Sequence, residues 1–410
     1  MKILIVSPCS THPPTLGNRR RILALAEAIA AHGNEVHFAL LPTAHFQLGD
    51  VDEMRRFWGP RLHVLSSTRK RNAGSRLRRT LAALLLPMRR RAARLAAKPV
   101  PTPIDKHYFS WWDFALLALQ RRHRFDMVIV EYVFFSRALL CFPEGVRKVI
   151  DTHDIFSNRN ASIARVTTRT QRFLDTDPVS EALGLSRADL VIGIQEEETS
   201  SLARMTMRPV VTIGHINEHD TPFHPPREPC SQRVLLVGAD NVMNIAGCEW
   251  FIDNVLGRVV ERFPQLRFRV CGRVGLGIAE RCRAVDGVDI AGLVDDLEAE
   301  YAAADVVVNP VLGGTGVAIK AIEALARGKP LVCTTPGARG LLVAGFPTQP
   351  CVVVDEPEAL ADALVGLLED PIARRHLSTQ AIAFTSAWND RNARNLAVVL
   401  DQAPPEHVAS

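Results

Sequence analysis

The feature that most constrains this chain is a rhythm of alternating strand and helix patterns that runs, stops and starts again. Short apolar runs at 2–7, 35–41, 127–130, 148–150 and 190–194 read as strands buried on both faces, with helical sequence between them. Between Gly214 and Ser231 the pattern is lost: this stretch holds His215, His219, His224, Pro222, Pro225, Pro226 and Pro229, and reads as a linker. The rhythm then resumes with strands at 233–237, 266–271, 288–290, 306–309, 331–333 and 352–354. Helices are expected near 244–262, 294–303, 317–327 and 357–368, and the tail 373–400 reads as a long helix interrupted near 386–390. A repeated βαβ series predicts α/β folding with doubly wound parallel sheets. A length of 410 residues exceeds what one core usually supports, so two Rossmann-like domains facing each other across a cleft are expected.

Composition narrows the class. With 47% apolar and 23% charged residues, the chain is neither disordered, fibrous nor a disulfide miniprotein. Its eight cysteines are scattered without a C-x-x-C pair, which suits a reduced, cytoplasmic protein. No apolar stretch approaches the ~18 residues of a membrane span. Net charge is +5, but residues 54–104 contain fourteen Lys and Arg and no Asp or Glu, leaving 35 cations against 44 carboxylates elsewhere. Within this insertion 76–97 is a basic amphipathic helical pattern, divided by Pro87. Such a segment suits an anionic membrane surface, where each cation contributes about 1 kcal/mol, so 69–98 is a candidate for peripheral contact with the inner face of a membrane. A solvated basic face is the alternative. No nucleic-acid module accompanies the charge, so a nucleic-acid partner is not expected.

The most informative motif follows the strand at 306–309: Gly313, Gly314, Thr315, Gly316 and Val317, then Lys320 and Glu323 on the helix that opens there. Glycines let a phosphate approach the backbone, and the helix start offers unpaired N–H groups. Lys320 and Glu323 are three apart and share a helix face, so one can neutralise a diphosphate while the other accepts hydrogen bonds from a ribose diol. The competing reading is an ordinary Glu323–Arg327 surface pair. Gly272 and Arg273 after the strand at 266–271, and Gly17 with Arg19 in the first strand–helix turn, are further phosphate candidates. His153 and Asp154 end the strand at 148–150, where a cleft is expected, and suit hydrogen bonding to a sugar or acceptor; a structural histidine and a helix cap are the alternatives. Glu131 and Arg159 are weaker cleft candidates. His215-x3-His219 has metal-ligand spacing but no matched partner, and Asp295-Asp296 is better explained as a helix cap. No G-x-S-x-G, Walker A or first-strand G-x-G-x-x-G is present, which argues against a serine hydrolase, a P-loop NTPase and an ordinary NAD dehydrogenase.

An ordered set of residues over about 120 positions of the second half resembles the donor domain of GT-B glycosyltransferases of the retaining family-4 type (glycosyl transferases group 1). It runs from 234–238 ending in Gly238, through Asn244, Gly247 and Trp250, Gly272, Gly292, Asp296, Tyr301 and Asp305, to Pro310, Gly314, Gly316, Lys320, Glu323, Gly328 and Pro330. The first half matches more loosely, through the first glycine loop, Gly33, Glu35 and Thr152-His153-Asp154. The resemblance implies a cytoplasmic transferase of polysaccharide biosynthesis that needs no cofactor and no metal. A nucleotide-diphosphate sugar would bind the C-terminal domain, 232–385, and a glycan or lipid-linked acceptor the N-terminal domain, 1–213. A C-terminal helix, 386–410, would cross back to the N-terminal domain.

By position, Glu323 would hold the ribose, Lys320 and the 314–317 backbone the diphosphate, and His153 the transferred sugar, with His153, Asp154 and Lys320 as the catalytic set. Two departures stand out: Thr315 occupies a position where many relatives carry a glutamate, and Asp240 to Asn244 replaces a common Arg/Lys pair. The alternatives are a sugar-nucleotide epimerase of the same fold and a non-catalytic sugar-nucleotide-binding assembly subunit.

Overall fold

A computed structural model describes residues 1–43, 46, 48–65, 104–157, 159–164, 174–217, 221–282, 285–343, 345–346 and 349–401. The N-terminal half builds a seven-stranded parallel sheet in the order β3-β2-β1-β4-β5-β6-β7. Its strands are β1 (Lys2–Ser7), β2 (Glu35–Leu40), β3 (Leu62–Val64), β4 (Met127–Glu131), β5 (Arg147–Asp151), β6 (Leu190–Gly193) and β7 (Val210–Thr212). The C-terminal half builds a six-stranded parallel sheet in the order β10-β9-β8-β11-β12-β13. Here the strands are β8 (Arg233–Val237), β9 (Arg267–Cys271), β10 (Val288–Gly292), β11 (Val306–Asn309), β12 (Leu331–Cys333) and β13 (Val352–Val353). In both sheets the strand order reverses beside the first strand, which opens a crevice at the carboxyl ends where ligands of such sheets bind.

Burial on both faces explains the unbroken apolar strands. In the second sheet Val234, Leu236, Val306, Val308 and Val332 join one core. Their neighbours Leu235, Val307, Leu331 and Cys333 join another on the opposite face. The strand period of two sends alternate side chains to opposite layers, and helices cover each. All eight cysteines are free thiols and all but Cys230 are buried, as small hydrophobes.

β3 and β7 were not expected from sequence. Both are three-residue edge strands, half-buried throughout, too short to show a period. The expected basic amphipathic segment at 69–98 lies outside the described residues. Among those described, no helix is long and apolar enough to cross a membrane.

The largest departure from the sequence reading is the last helix. Pro371–Asp401 is continuous, with no break near 386–390. The polar residues there serve the linker backbone. Trp388 Nε1 donates to the His215 carbonyl at 2.6 Å, while Asn392 accepts the Gly214 N–H at 2.9 Å. Gly214 must be glycine, because a Cβ would lie 2.1 Å from the Trp388 ring. Ala381, Phe384 and Trp388 of this helix pack into the C-terminal domain, whereas Leu396, Val399 and Leu400 belong to the core of the N-terminal domain. One rigid rod thus spans both domains. Leu396→Ala should destabilise the protein by about 2–5 kcal/mol, a loss measurable by urea denaturation, since a buried leucine is replaced by a cavity. A loss under about 0.5 kcal/mol, the range of an ordinary surface substitution, would show that this end of the helix is not docked.

Candidate active site

The carboxyl ends of the two sheets face each other across a cleft of about 800 Å³. From the N-terminal domain its wall receives Pro13 to Gly17, Arg20 and Arg159; the C-terminal domain adds the turns after β8, β9, β10, β11 and β12. The helix Ile319–Ala326 opens onto this space after the glycine-rich loop. Gly17, Gly272, Arg273, Gly314, Thr315, Val317, Lys320 and Glu323 all line it.

Lys320 is held by a neutral partner: its Nζ donates to Asn244 Oδ1 at 2.5 Å. Asn244 lies in the first turn of the helix Val242–Phe251, which Asn241 caps. Asn244, in the segment where the resemblance led to an expected Arg/Lys pair, thus fixes Lys320 instead. Burial, reinforced by the nearby Arg339 charge, pulls the Lys320 ammonium down to about 7. Glu323, buried at the cleft wall, pairs with Arg20 of the first helix, Gly17–Ala31. The alternative Glu323–Arg327 pair does not form, because the Arg327 guanidinium binds Glu298 and donates only to the Glu323 carbonyl, at 2.8 Å.

Arg19 requires a correction. It is buried and donates to the Pro13 carbonyl at 3.2 Å, and the cation that reaches the cleft is its neighbour Arg20. Consecutive helix residues point about 100° apart, so a one-position error changes the face.

His153 and Asp154 lie behind the wall. His153 has φ 60°, a left-handed conformation that costs a residue with a Cβ about 1–3 kcal/mol and persists where the surroundings enforce it. Its Nε2 shares a hydrogen bond with Glu131 Oε2 at 2.5 Å, and its ring stacks on Tyr132 at 4.1 Å between centroids. Glu131 is fully buried; desolvation and the neighbouring Asp151 push its carboxyl up, and the histidine opposes them. Asp151 is in turn neutralised by buried Arg21 at 2.8 Å. Asp154 pairs with Arg159 at 2.8 Å, and Arg159 Nε donates to Thr315 Oγ1 at 3.1 Å.

Gly316 is not on the cleft wall but packs on His153 and Asp154. With φ 75° and a would-be Cβ only 3.3 Å from Asp154 Oδ1, the position strongly favours glycine. Its N–H donates to Glu198 Oε1 at 2.6 Å, a residue of the helix Glu196–Met205 that sequence reading overlooked. Arg339, also overlooked, donates to the carbonyls of Gly313 and Thr315, each at 3.2 Å, and so holds the loop from the other side. Neither sits in a recognisable motif; only the fold brings them to the loop. Asp154 Oδ1 and Glu198 Oε2 remain buried without a hydrogen-bond partner among the described residues. His215 is buried and pulled down to about 4 by desolvation, and His219 lies outside the described residues. Asp296 caps its helix by accepting the Ala299 N–H at 3.0 Å, the role expected for it.

Comparison with known proteins places this geometry. Residues 231–370 match the family described as glycosyl transferases group 1. Sucrose-phosphate synthase from Thermosynechococcus elongatus superposes with a TM-score of 0.66 at 17% identity, covering 98% of both chains. Anabaena HepE, solved in complex with UDP, superposes with a TM-score of 0.65 at 15% identity, covering 98% of this chain and 99% of that one. The fold is therefore GT-B, two facing Rossmann-like domains, and the C-terminal domain is the part that matches the glycosyl transferases group 1 family. Among curated relatives, phosphatidyl-myo-inositol mannosyltransferase from Mycobacterium leprae is 27% identical over 196 residues, 47% of each chain. The enzyme of that name from Mycolicibacterium smegmatis is 34% identical over 123 residues, 28% of this chain and 31% of its own. The match thus spans about half the length of these curated relatives or less.

Burial pushes Glu198 up to about 8, with the Asp154 charge adding to the effect and the Gly316 N–H opposing it. A carboxyl raised in the folded state loses stability as pH climbs from its unfolded value to its folded one. From pH 4.5 to about 8 the unfolded chain ionises while Glu198 keeps its proton, so stability falls across that window and is level above it. Glu198→Gln mimics the neutral form and should gain stability relative to wild type at pH 8 compared with pH 5, in paired urea titrations. An unchanged difference between the two pH values would mean that Glu198 ionises normally.

Proposed function

We propose that the protein is a glycosyltransferase that moves a sugar from a nucleotide-diphosphate donor to a hydroxyl of a lipid-linked or polysaccharide precursor, with retention of anomeric configuration. The observation that carries this reading is the pair Lys320 and Glu323 on one helix at the cleft, beside a glycine loop and within the matched family segment. The backbone of 314–317 and the helix start receive the diphosphate. Glu323 takes the ribose diol, sharing its carboxylate with Arg20. Arg273, exposed at the cleft, is a second cation for the phosphates. Where Thr315 supplies no carboxylate, the free Asp154 Oδ1 is an acceptor for a sugar hydroxyl, and Oε2 of protonated Glu198 is a donor to one. Reaching them requires the Gly316 loop to shift from His153, so donor entry is coupled to movement of the loop or of the domains.

In the transfer step the bond from the anomeric carbon to the diphosphate oxygen breaks, and its electron pair leaves on the phosphate. The acceptor oxygen bonds to the same face of that carbon, and its proton passes to the departing phosphate oxygen. Protonated Lys320 and the loop N–H groups stabilise the charge that develops on the phosphate. For the acceptor, the reading leans on the relatives that mannosylate an inositol phospholipid and on a structural neighbour, WaaG, described as acting in lipopolysaccharide biosynthesis. One observation favours a binding role without turnover: Thr315 stands where many relatives are expected to carry a glutamate.

Thermal unfolding with UDP-, GDP-, dTDP- and ADP-sugars tests the reading. A cognate donor at about 100 times its Kd should add about 2.7 kcal/mol. Lys320→Ala and Glu323→Ala should each weaken donor binding and so reduce the shift at a fixed donor concentration. Because the free Lys320 titrates near 7 and a bound diphosphate raises it, binding takes up a proton above neutrality. Donor affinity should therefore fall by up to about tenfold per pH unit above 7 until the bound value is reached, and Lys320→Ala should flatten that slope. No shift with any donor would overturn the reading. A shift without sugar transfer to inositol phospholipid or polyprenyl-linked acceptors would favour the assembly subunit.

A further inference from the structure

Away from the cleft, three histidines from three elements converge on the N-terminal domain: His37 in β2, His63 in β3 and His123, the last residue of the helix Trp111–His123. Their ring centroids lie 4.8–5.3 Å apart. One nitrogen from each lies within 4.8 Å of those of the other two. His37 is buried at 3% exposure, while His63 and His123 are half-buried and leave one side of the cluster open to solvent. None of the three lines the cleft.

Hydrogen-bond accounting makes this more than an aromatic patch. Glu35 Oε1 lies 2.8 Å from His37 Nε2 and, as an ionised carboxylate, takes the proton of that nitrogen. The Nδ1 of His37 is then left with a lone pair, aimed at His63 Nε2 at 3.1 Å. Two imidazole nitrogens at about 2.05 Å from one tetrahedral ion would stand about 3.3 Å apart, close to the observed spacing. A carboxylate on the far nitrogen of a histidine is also what orients imidazole ligands in metal sites. Burial pulls His63 down to about 4 and lowers His123 as well, and the neighbouring imidazoles add to the effect. Lys2 and Arg122 face the cluster as cations, against which Glu35 is the opposing carboxylate.

We propose that His37, His63 and His123 form a structural site for one divalent transition-metal ion of the zinc class, with Glu35 orienting His37 and a water filling the open position. Three neutral imidazoles with one open position suit zinc, and they exclude calcium and magnesium, which take oxygen ligands. The His123 ring need swing inward by no more than about 1.5 Å to bring the widest gap to tetrahedral spacing. Its place at a helix end, half-exposed, permits that. The ion would tie the edge strand β3, and β2 beside it, to the helix that follows the basic insertion. This inference is independent of the donor reading, because it shares no residue with the cleft.

The test uses full-length protein without an affinity tag, stripped with EDTA and dialysed. Zn²⁺ titration against a chromogenic chelator should give one equivalent bound with Kd on the order of 1 µM or tighter, and should raise Tm. Co²⁺ should give visible d–d bands of tetrahedral intensity. His123→Ala and His63→Gln should each weaken binding at least about 100-fold and abolish the bands, and Glu35→Gln should weaken it about 10–100-fold. His123 and His63 are not fully buried, and an unchanged metal-free Tm is the fold control for both variants. No bound equivalent at about 100 µM Zn²⁺, as a purely hydrogen-bonded histidine pair predicts, would overturn the proposal. So would an equivalent whose affinity and Co²⁺ spectrum survive both substitutions, which would place the metal on other groups.

Discussion

The hydrogen bond from the Gly316 N–H to the Glu198 carboxylate joins the two domains at the one place where the ligand loop turns. It exists because Gly316 accepts a left-handed φ that a side chain would strain, and a close contact with Asp154. Around it the loop is held from three directions: Arg339 on its carbonyls, Arg159 on Thr315, and the His153–Asp154 backbone beneath. In this arrangement the loop itself fills the space between His153 and the helix Ile319–Ala326. The cleft is thus shaped by a small polar network contributed by both domains, and only then by the sheets that carry it.

A network of that kind holds its geometry only if the domains are registered against each other, and the last helix supplies the registration. One helix surface seats Trp388 in the C-terminal domain, and two turns later Leu396 enters the N-terminal core. Asn392 and Trp388 bind the linker backbone at Gly214 and His215, so the helix and linker cross as one unit. Arg21 extends this unit to the site: it donates to the Gly214 carbonyl at 2.8 Å and pairs with Asp151 beneath His153. A change in the angle between domains is therefore felt at the floor of the cleft through buried, charge-assisted bonds rather than through flexible surface loops.

The parallel sheets were legible because strands buried on both faces leave unbroken apolar runs, such as 2–7 and 306–309, that little else produces. The edge strands β3 and β7 left no such trace, since three half-buried residues show no period. At the site, Lys320, Glu323 and the glycines were legible because a strand, a glycine turn and a helix start lie consecutively in the chain. Glu198 and Arg339 were not, because they reach the same loop from 118 and 23 residues away. Arg19 was mistaken for Arg20 because sequence places a helix more reliably than it sets its rotation. The break expected at 386–390 failed for a related reason. Ser386, Asn389 and Asp390 disfavour a helix locally, but no proline or glycine forces an end, and burial of Trp388 outweighs the propensity.

The charges of the cleft suit the anionic donor proposed for it. Among the described residues Lys320 has no carboxylate partner, only the amide oxygen of Asn244, and desolvation drives it toward the neutral form. Glu198 shows the mirror image, driven by burial and by Asp154 toward its own neutral form. At pH 7 both groups sit near the midpoint or on the uncharged side of their titrations, so the empty cleft avoids the full cost of burying ionised groups. A diphosphate bound as proposed would reverse the balance at Lys320, since its negative charges would restore the ammonium with a proton drawn from solvent. The strongest electrostatic contact at the site would then be completed by the ligand's arrival. A fully charged lysine would instead need a carboxylate counter-ion in the empty state, and that carboxylate would have to be displaced before any phosphate could bind. Asn244 in place of an acid removes that competition.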